Sequence, residues 1–199
     1  MAPINFNTAR GQNSGGVLVF WASGSTGSEF IKHLAPSVKV TAFVRLIYNR
    51  DRLKGRDIQF VTGDVLNVSD VARVFEAGPF DTVFVALQTR PGQPYPYRGV
   101  EQNIMTYAKA NGMKQIILIG QVGASATPIN QADYSDINFK LLGPALQKMS
   151  EVEKIIVDSG VPHTIIRVGA IIVERGKPPQ PETGQGRLID DMKKMGAIA

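Results

Sequence analysis

Val17-Leu18-Val19-Phe20-Trp21-Ala22-Ser23-Gly24-Ser25-Thr26-Gly27 is an apolar run that breaks into a short glycine-bearing turn. Ser28-Glu29-Phe30-Ile31-Lys32-His33-Leu34 follows and reads as helix. Strand, turn and helix in that order are the setting in which G-x-x-G-x-x-G loops hold a dinucleotide pyrophosphate. Backbone amides at the helix start point at the phosphates, and the helix dipole favours negative charge there. Gly24 and Gly27 keep two of the three glycine positions, and Trp21 fills the first. The chain therefore reads as a nucleotide binder with the largest side chain at its most crowded position. Either the turn relaxes and the indole packs beneath it as core, or its bulk shifts or obstructs the pyrophosphate.

Outward from this stretch, short β-branched apolar runs alternate with helical patterns. The runs are 16–22, 38–44, 58–62, 82–87, 115–119 and 163–168, and they read as strands buried on both faces. Between them, 68–76 carries Val71, Val74 and Phe75; 99–111 carries Val100, Ile104, Tyr107 and Ala108; 144–159 carries Met149, Val152, Ile155 and Ile156. Spacings of three and four give each helix one core face. Ser159-Gly160 supplies the glycine that ends the last helix. The alternation implies an α/β fold: a single Rossmann-like, doubly wound domain over 16–199. It has a mainly parallel sheet of about six strands and helices on both faces. Residues 1–15 read as a flexible tail. The proline- and glycine-rich stretches 91–96 and 177–186 read as loops of the kind that wall a ligand crevice.

A chain of 199 residues with 43% hydrophobic content buries one sizeable core. No apolar stretch is long enough to span a membrane, and the polar start does not resemble a secretory signal, so a cytoplasmic protein is expected. With no cysteine there is no disulfide or thiolate site, and two isolated histidines, His33 and His163, argue against a metal centre. A net charge of +5 suits an anionic cofactor but is too small and too dispersed to indicate nucleic acid.

About twenty residues beyond the glycine turn, the second strand ends Thr41-Ala42-Phe43-Val44-Arg45. An acid there would hydrogen-bond a ribose 2′-hydroxyl and favour NAD. Arg45 instead suits a 2′-phosphate and the adenine face, which predicts NADP(H), with Arg50 and Arg52 as helpers. The third strand leads into Gly63-Asp64-Val65. Asp64 reads equally as an acceptor for the adenine amino group and as an Asx-type cap for the next helix.

With these residues in hand, the chain resembles the atypical short-chain dehydrogenase/reductase group, the NAD(P)H-binding branch that includes NmrA-like regulators and biliverdin reductase B-like flavin reductases. The matching stretches are residues 21–27, 43–45 and 63–65, Asn103 with 108–114, and 159–167, in the family's order. The resemblance implies cofactor contacts from Gly24, Ser25, Thr26, Gly27, Arg45, Asp64 and Val65. It further implies Ala86 and Leu87 beside the adenosine ribose and phosphates, Ile119 and Gly120 near the nicotinamide, and Val168 and Gly169 flanking its amide. Many relatives also carry a Ser after the fifth strand and a Tyr-x-x-x-Lys pair on the next helix. In the register set by Glu153 and Ser159-Gly160, that pair falls on Ala145 and Met149, and the Ser falls at Gly120-Gln121. Three residues are candidate catalytic substitutes. Gln121 can hydrogen-bond a substrate carbonyl, Tyr134 precedes the helix, and Lys148 lies one position and about 100° away on it. Each also has an ordinary reading: a strand-end cap, a loop aromatic and a solvated helix residue.

The balance favours an NADPH-dependent reductase of a small, flat, conjugated acceptor such as a flavin, quinone or pigment, lacking the usual Tyr–Lys pair. Hydride chemistry belongs to the cofactor, and the protein need only position the acceptor. One alternative is a non-catalytic NADP(H)-binding regulatory or complex-subunit module; another is a non-redox isomerase, dehydratase or cyclase on the same scaffold. A small-molecule substrate is the expected partner, and a homodimer or a protein partner stays open. Leu188, Met192 and Met195 give the C-terminal segment the spacing of a short amphipathic helix.

Overall fold

The computed structural model describes residues 15–45, 53, 55, 57–86, 99–124 and 136–168, with backbone only for 136–144. In chain order the elements are β1 (Gly16–Phe20), α1 (Ser25–His33), β2 (Val40–Val44), β3 (Gln59–Thr62), α2 (Val68–Glu76), β4 (Phe80–Val85), α3 (Val100–Ala110), β5 (Gln115–Gln121), α4 (Asp136–Asp158) and β6 (His163–Val168). The six strands lie in the order β3-β2-β1-β4-β5-β6, with every neighbouring pair parallel. The chain winds from β1 out to β3, then returns to the other side of β1. The strand order therefore reverses between β1 and β4, and a crevice opens there at the carboxyl ends.

Strict alternation sends successive strand residues to opposite faces. Leu18, Phe20, Phe43, Val83, Val85, Ile116 and Leu118 join one buried cluster with Val71, Val74 and Phe75 of α2, Ile104 and Met105 of α3, and Met149, Val152 and Ile156 of α4. Val17, Val19, Val40, Ala42, Phe84, Ile117 and Ile119 join a second cluster with Ile31 of α1. Helices thus flank both faces, as the alternation implied, with α1 on one and α2, α3 and α4 on the other. All five residues of β1 and of β2 are buried, which explains their near-continuous apolar sequences. Phe30 of α1 stacks on Phe84 of β4, with ring centroids 3.7 Å apart and planes within 6°.

Several boundaries move. β1 ends at Phe20, so Trp21 and Ala22 belong to the turn, and α1 already begins at Ser25. β4 spans Phe80–Val85 and stops short of Ala86; Leu87 lies outside the described residues. β5 runs on to Gln121, so Ile119 and Gly120 lie within the strand, and Val168 is the last residue of β6 rather than a residue after it. α4 starts at Asp136, well before the proline read as its first turn. The apolar spacing of Ile137, Leu141, Ala145 and Met149 continues through Gly143-Pro144, and that periodicity outweighs the local stop signal. Among the described residues, no helix is long and apolar enough to cross a membrane.

Candidate functional site: the carboxyl edge of the sheet

The glycine turn keeps its geometry despite Trp21. Trp21 has φ 60, the only positive φ of a non-glycine among the described residues. That is the left-handed conformation a glycine would supply; a residue with a Cβ adopts it at a cost of roughly 1–2 kcal/mol. The turn closes with Gly24 N donating to Trp21 O at 3.0 Å, and Ser28 N donates to Gly24 O at 2.9 Å as α1 begins. The turn has therefore not relaxed. The indole is nevertheless half-buried, packed against the α2/α3/α4-side cluster.

Each remaining glycine has a distinct steric reason. A Cβ on Gly24 would lie 3.2 Å from Trp21 O, a contact that asks the turn to give by a few tenths of an ångström. A Cβ on Gly27 would lie 2.4 Å from Trp21 O and 3.0 Å from Ala22 Cα, so Gly27 lets α1 sit against the strand-end backbone. The N-cap of α1 is Gly24, no side chain caps the helix, and its first turn has no acidic residue. The amides of Ser25, Thr26 and Gly27 are thus first-turn donors of the kind that bind anions. Donor chemistry and the position beside the β1/β4 reversal both fit the pyrophosphate of a dinucleotide.

The other strand ends extend this site sideways. In sheet order, Asp64, Arg45, the turn, Ala86, Ile119 with Gly120, and Val168 mark the carboxyl ends of β3, β2, β1, β4, β5 and β6. Five inter-strand spacings of about 4.8 Å give a line roughly 24 Å long, enough for an extended dinucleotide. Arg45 stands exposed just past β2. Ala86, Ile119 and Val168 are neighbours on the α1 face, where each packs in or against one cluster. Val65 is a core residue by its side chain, so only its backbone faces a ligand. Arg50, Arg52, Leu87, Tyr134 and Gly169 lie outside the described residues.

Asp64 forms an Asx turn but does not cap the next helix: its Oδ1 accepts from Leu66 N at 3.0 Å, while α2 is capped by Asn67, whose side chain accepts from Ser69 N at 3.0 Å. Asp64 N donates to Asp70 Oδ2 at 3.0 Å. Arg73 Nη2 completes the clamp, donating to Asp70 Oδ1 at 2.7 Å and to Thr62 O at 2.8 Å. The Asp64 amide first, and the Arg73 guanidinium second, hold the Asp70 carboxyl below its ordinary value of 3.8. A depressed carboxylate stabilises the fold above its unfolded pKa, and that contribution is lost as pH falls through the folded value. Asp70→Asn is therefore expected to be less stable than the parent at pH 7, with the gap closing below about pH 3.8. Urea unfolding at pH 7 and pH 3 measures it; a gap that stays constant would mean that the clamp contributes nothing through its charge.

Of the candidate catalytic residues, Gln121 and Lys148 lie among the described residues. Lys148 pairs with Glu151 at 2.6 Å, the lysine side chain 39% exposed, which is the solvated-face reading. Gln121 ends β5 opposite Val168, half-buried, and its carbonyl accepts from Ala124 N at 3.0 Å. Ala145 is half-buried, and Met149 is buried against the core.

One arrangement went unread in the sequence. Glu153 of α4 is fully buried, and its carboxylate accepts from Arg167 of β6: Nε to Oε1 at 3.0 Å and Nη2 to Oε2 at 2.7 Å. A Cβ on Gly120 would lie 2.8 Å from Glu153 Oε1. Glycine at this position makes room for the ion pair. The available signal was a single arginine in the otherwise apolar run Ile165-Ile166-Arg167-Val168 and an acid, Glu153, between the core positions Val152 and Ile156.

Comparisons with known proteins agree with this geometry. An Arabidopsis thaliana protein named as uncharacterized and chloroplastic is 27% identical over 182 residues, covering 78% of this chain and 53% of its own length. The chain thus spans about half of that curated relative. Similar folds among solved structures include the anaerobillin reductase ChuY of Escherichia coli O157:H7, at 21% identity and TM-score 0.59, covering 76% of this chain and 71% of that one. An NADPH-dependent quinone oxidoreductase of Escherichia coli, solved with NADPH, gives 20% identity, TM-score 0.55 and coverage of 76% and 48%. The Bordetella bronchiseptica enzyme WbmG, solved with NAD, gives 16% identity, TM-score 0.62 and coverage of 80% and 54%. Residues 22–196 match the NAD(P)H-binding family model, nearly the whole chain from the turn onward, and the protein belongs to that family.

Proposed function

We propose that the protein is an NADPH-dependent reductase acting on a flat, conjugated acceptor without a Tyr–Lys pair. The observation that carries this reading is the intact nucleotide turn, uncapped and free of acidic residues, in line with Arg45 at the end of β2. In this reading the amides of Ser25, Thr26 and Gly27 hold the pyrophosphate, and Arg45 pairs with the 2′-phosphate. Ala86 lies beside the adenosine ribose and phosphates, and Ile119 and Val168 supply an apolar seat at the nicotinamide end, which excludes water from one side of the ring. Bound there, the reduced nicotinamide supplies hydride to the acceptor, which takes its proton from solvent, leaving oxidised NADP. With Ala145 and Met149 where a proton-donating pair would stand, the chain suits acceptors that need no enzymatic acid, such as flavins, quinones and conjugated pigments. The reductase names of two structural neighbours agree with this class.

The test is a titration with NADPH and, separately, NADH, following the fluorescence of Trp21, the single tryptophan, with calorimetry as a check. Saturable quenching at least tenfold tighter for NADPH is expected, and Arg45→Asp should remove most of that preference. Hydride transfer to flavin and quinone acceptors should then be measurable by NADPH absorbance. Tight NADPH binding with no turnover on any acceptor would favour a non-catalytic binding module instead.

A further inference from the structure

The glycine turn raises a question that the family assignment leaves unanswered: what holds a left-handed turn in place when its glycine is a tryptophan. Trp21 carries the conformation of the missing glycine, φ 60, with a bulky Cβ. The hydrogen bond from Gly24 N to its carbonyl is intact, and Gly27 packs against that same carbonyl. The strain therefore sits at the centre of the anion cradle, and strain at such a point persists only when surrounding structure over-determines it. The surrounding structure is visible: the indole is half-buried and packed against the cluster formed by β1, β4, α2, α3 and α4.

We infer that Trp21 is an aromatic latch, a positioning residue that sets the dinucleotide affinity of this site. This inference rests on the dinucleotide reading above. Backbone strain pulls the turn away from its binding-competent shape, and the docked indole holds it there. Only the fraction of molecules with the turn in the left-handed shape binds, so the apparent dissociation constant rises as that fraction falls. Glycine removes the strain and needs no latch. Alanine keeps the Cβ and the strain but loses the indole. Phenylalanine keeps both strain and an aromatic anchor. The resulting order of affinity is glycine tightest, then tryptophan with phenylalanine close to it, then alanine. The site is thereby held at an affinity from which the dinucleotide exchanges with solution rather than remaining resident.

The experiment is calorimetric titration with NADPH of the full-length parent, Trp21→Gly, Trp21→Phe and Trp21→Ala, since three of the four lack the fluorophore. Thermal unfolding of each confirms that the protein measured is folded. Trp21→Gly is expected to bind about tenfold tighter, a difference of about 1.4 kcal/mol, and Trp21→Ala severalfold weaker than the parent. Affinity equal in all four overturns the latch. Alanine as tight as glycine also overturns it, because the indole would then act as a steric plug. No binding by any of the four overturns the dinucleotide reading itself, whereas binding in any other order removes only the latch.

Discussion

Gly27→Ala is expected to lower stability by about 3 kcal/mol or more and to abolish dinucleotide binding. The new methyl would meet Trp21 O at 2.4 Å and Ala22 Cα and Trp21 C at 3.0 Å. All three are backbone atoms of the turn, so no side chain can swing aside, and overpacking of this kind reaches or exceeds the usual 1–3 kcal/mol range. Alanine's better helix propensity returns at most about 1 kcal/mol. For a chain of this size the loss corresponds to a melting temperature lower by roughly 6–12 °C. Relief comes only by moving α1 away from the strand end, and that displaces the first-turn amides. Gly24→Ala is the control. Gly24 has φ −68, which suits any residue, and its methyl would lie 3.2 Å from the same carbonyl. That variant should lose much less stability than Gly27→Ala, because its neighbour need give by only a few tenths of an ångström. Thermal unfolding of both variants measures the difference, and calorimetry measures NADPH binding by Gly27→Ala. Equal losses of stability would mean that the approach to the strand-end backbone does not set the cost.

The fold was legible because its signals are local and agree with one another. Val17 to Phe20, the glycine turn and Ile31 announce strand, turn and helix within fifteen residues, and five parallel pairings follow from repetition of that unit. The glycine turn was legible for the same reason, since Gly24 and Gly27 lie in one local motif. Features that depend on distant partners were not legible. Asp70 reads as an ordinary helix residue until Asp64 N and Arg73 are found around its carboxylate. Gly120 reads as a missing serine until Glu153, 33 positions later in the sequence, fills the space beneath it. Trp21 presented two opposed outcomes, and the structure splits the first of them: the indole packs half-buried against the core, but the turn has not relaxed. The start of α4 was misjudged because a glycine–proline pair is a strong local stop, and only the longer apolar period overrides it.

Arg167→Met is expected to be the more damaging half of an asymmetric pair of substitutions. Glu153 is fully buried, whereas the Arg167 side chain is 41% exposed. Removing the arginine takes its charge-assisted hydrogen bonds from a fully buried carboxylate, and breaking a buried ion pair from one side typically costs about 3–5 kcal/mol. Removing the carboxylate by Glu153→Gln leaves a guanidinium already in contact with water, so the cost should fall well below that range. Replacing both residues with methionine should restore most of the loss, because a buried ion pair exchanged for apolar side chains of similar volume is often neutral or stabilising. Urea unfolding of the two single variants and the double variant gives the cycle. Equal single effects would show that the difference in burial between the two partners does not set the cost. The room for that carboxylate comes from Gly120, so Gly120→Ser should lose stability in the parent but much less in the double-methionine background. Glycine at position 120 of β5 is then a packing consequence of the ion pair behind it.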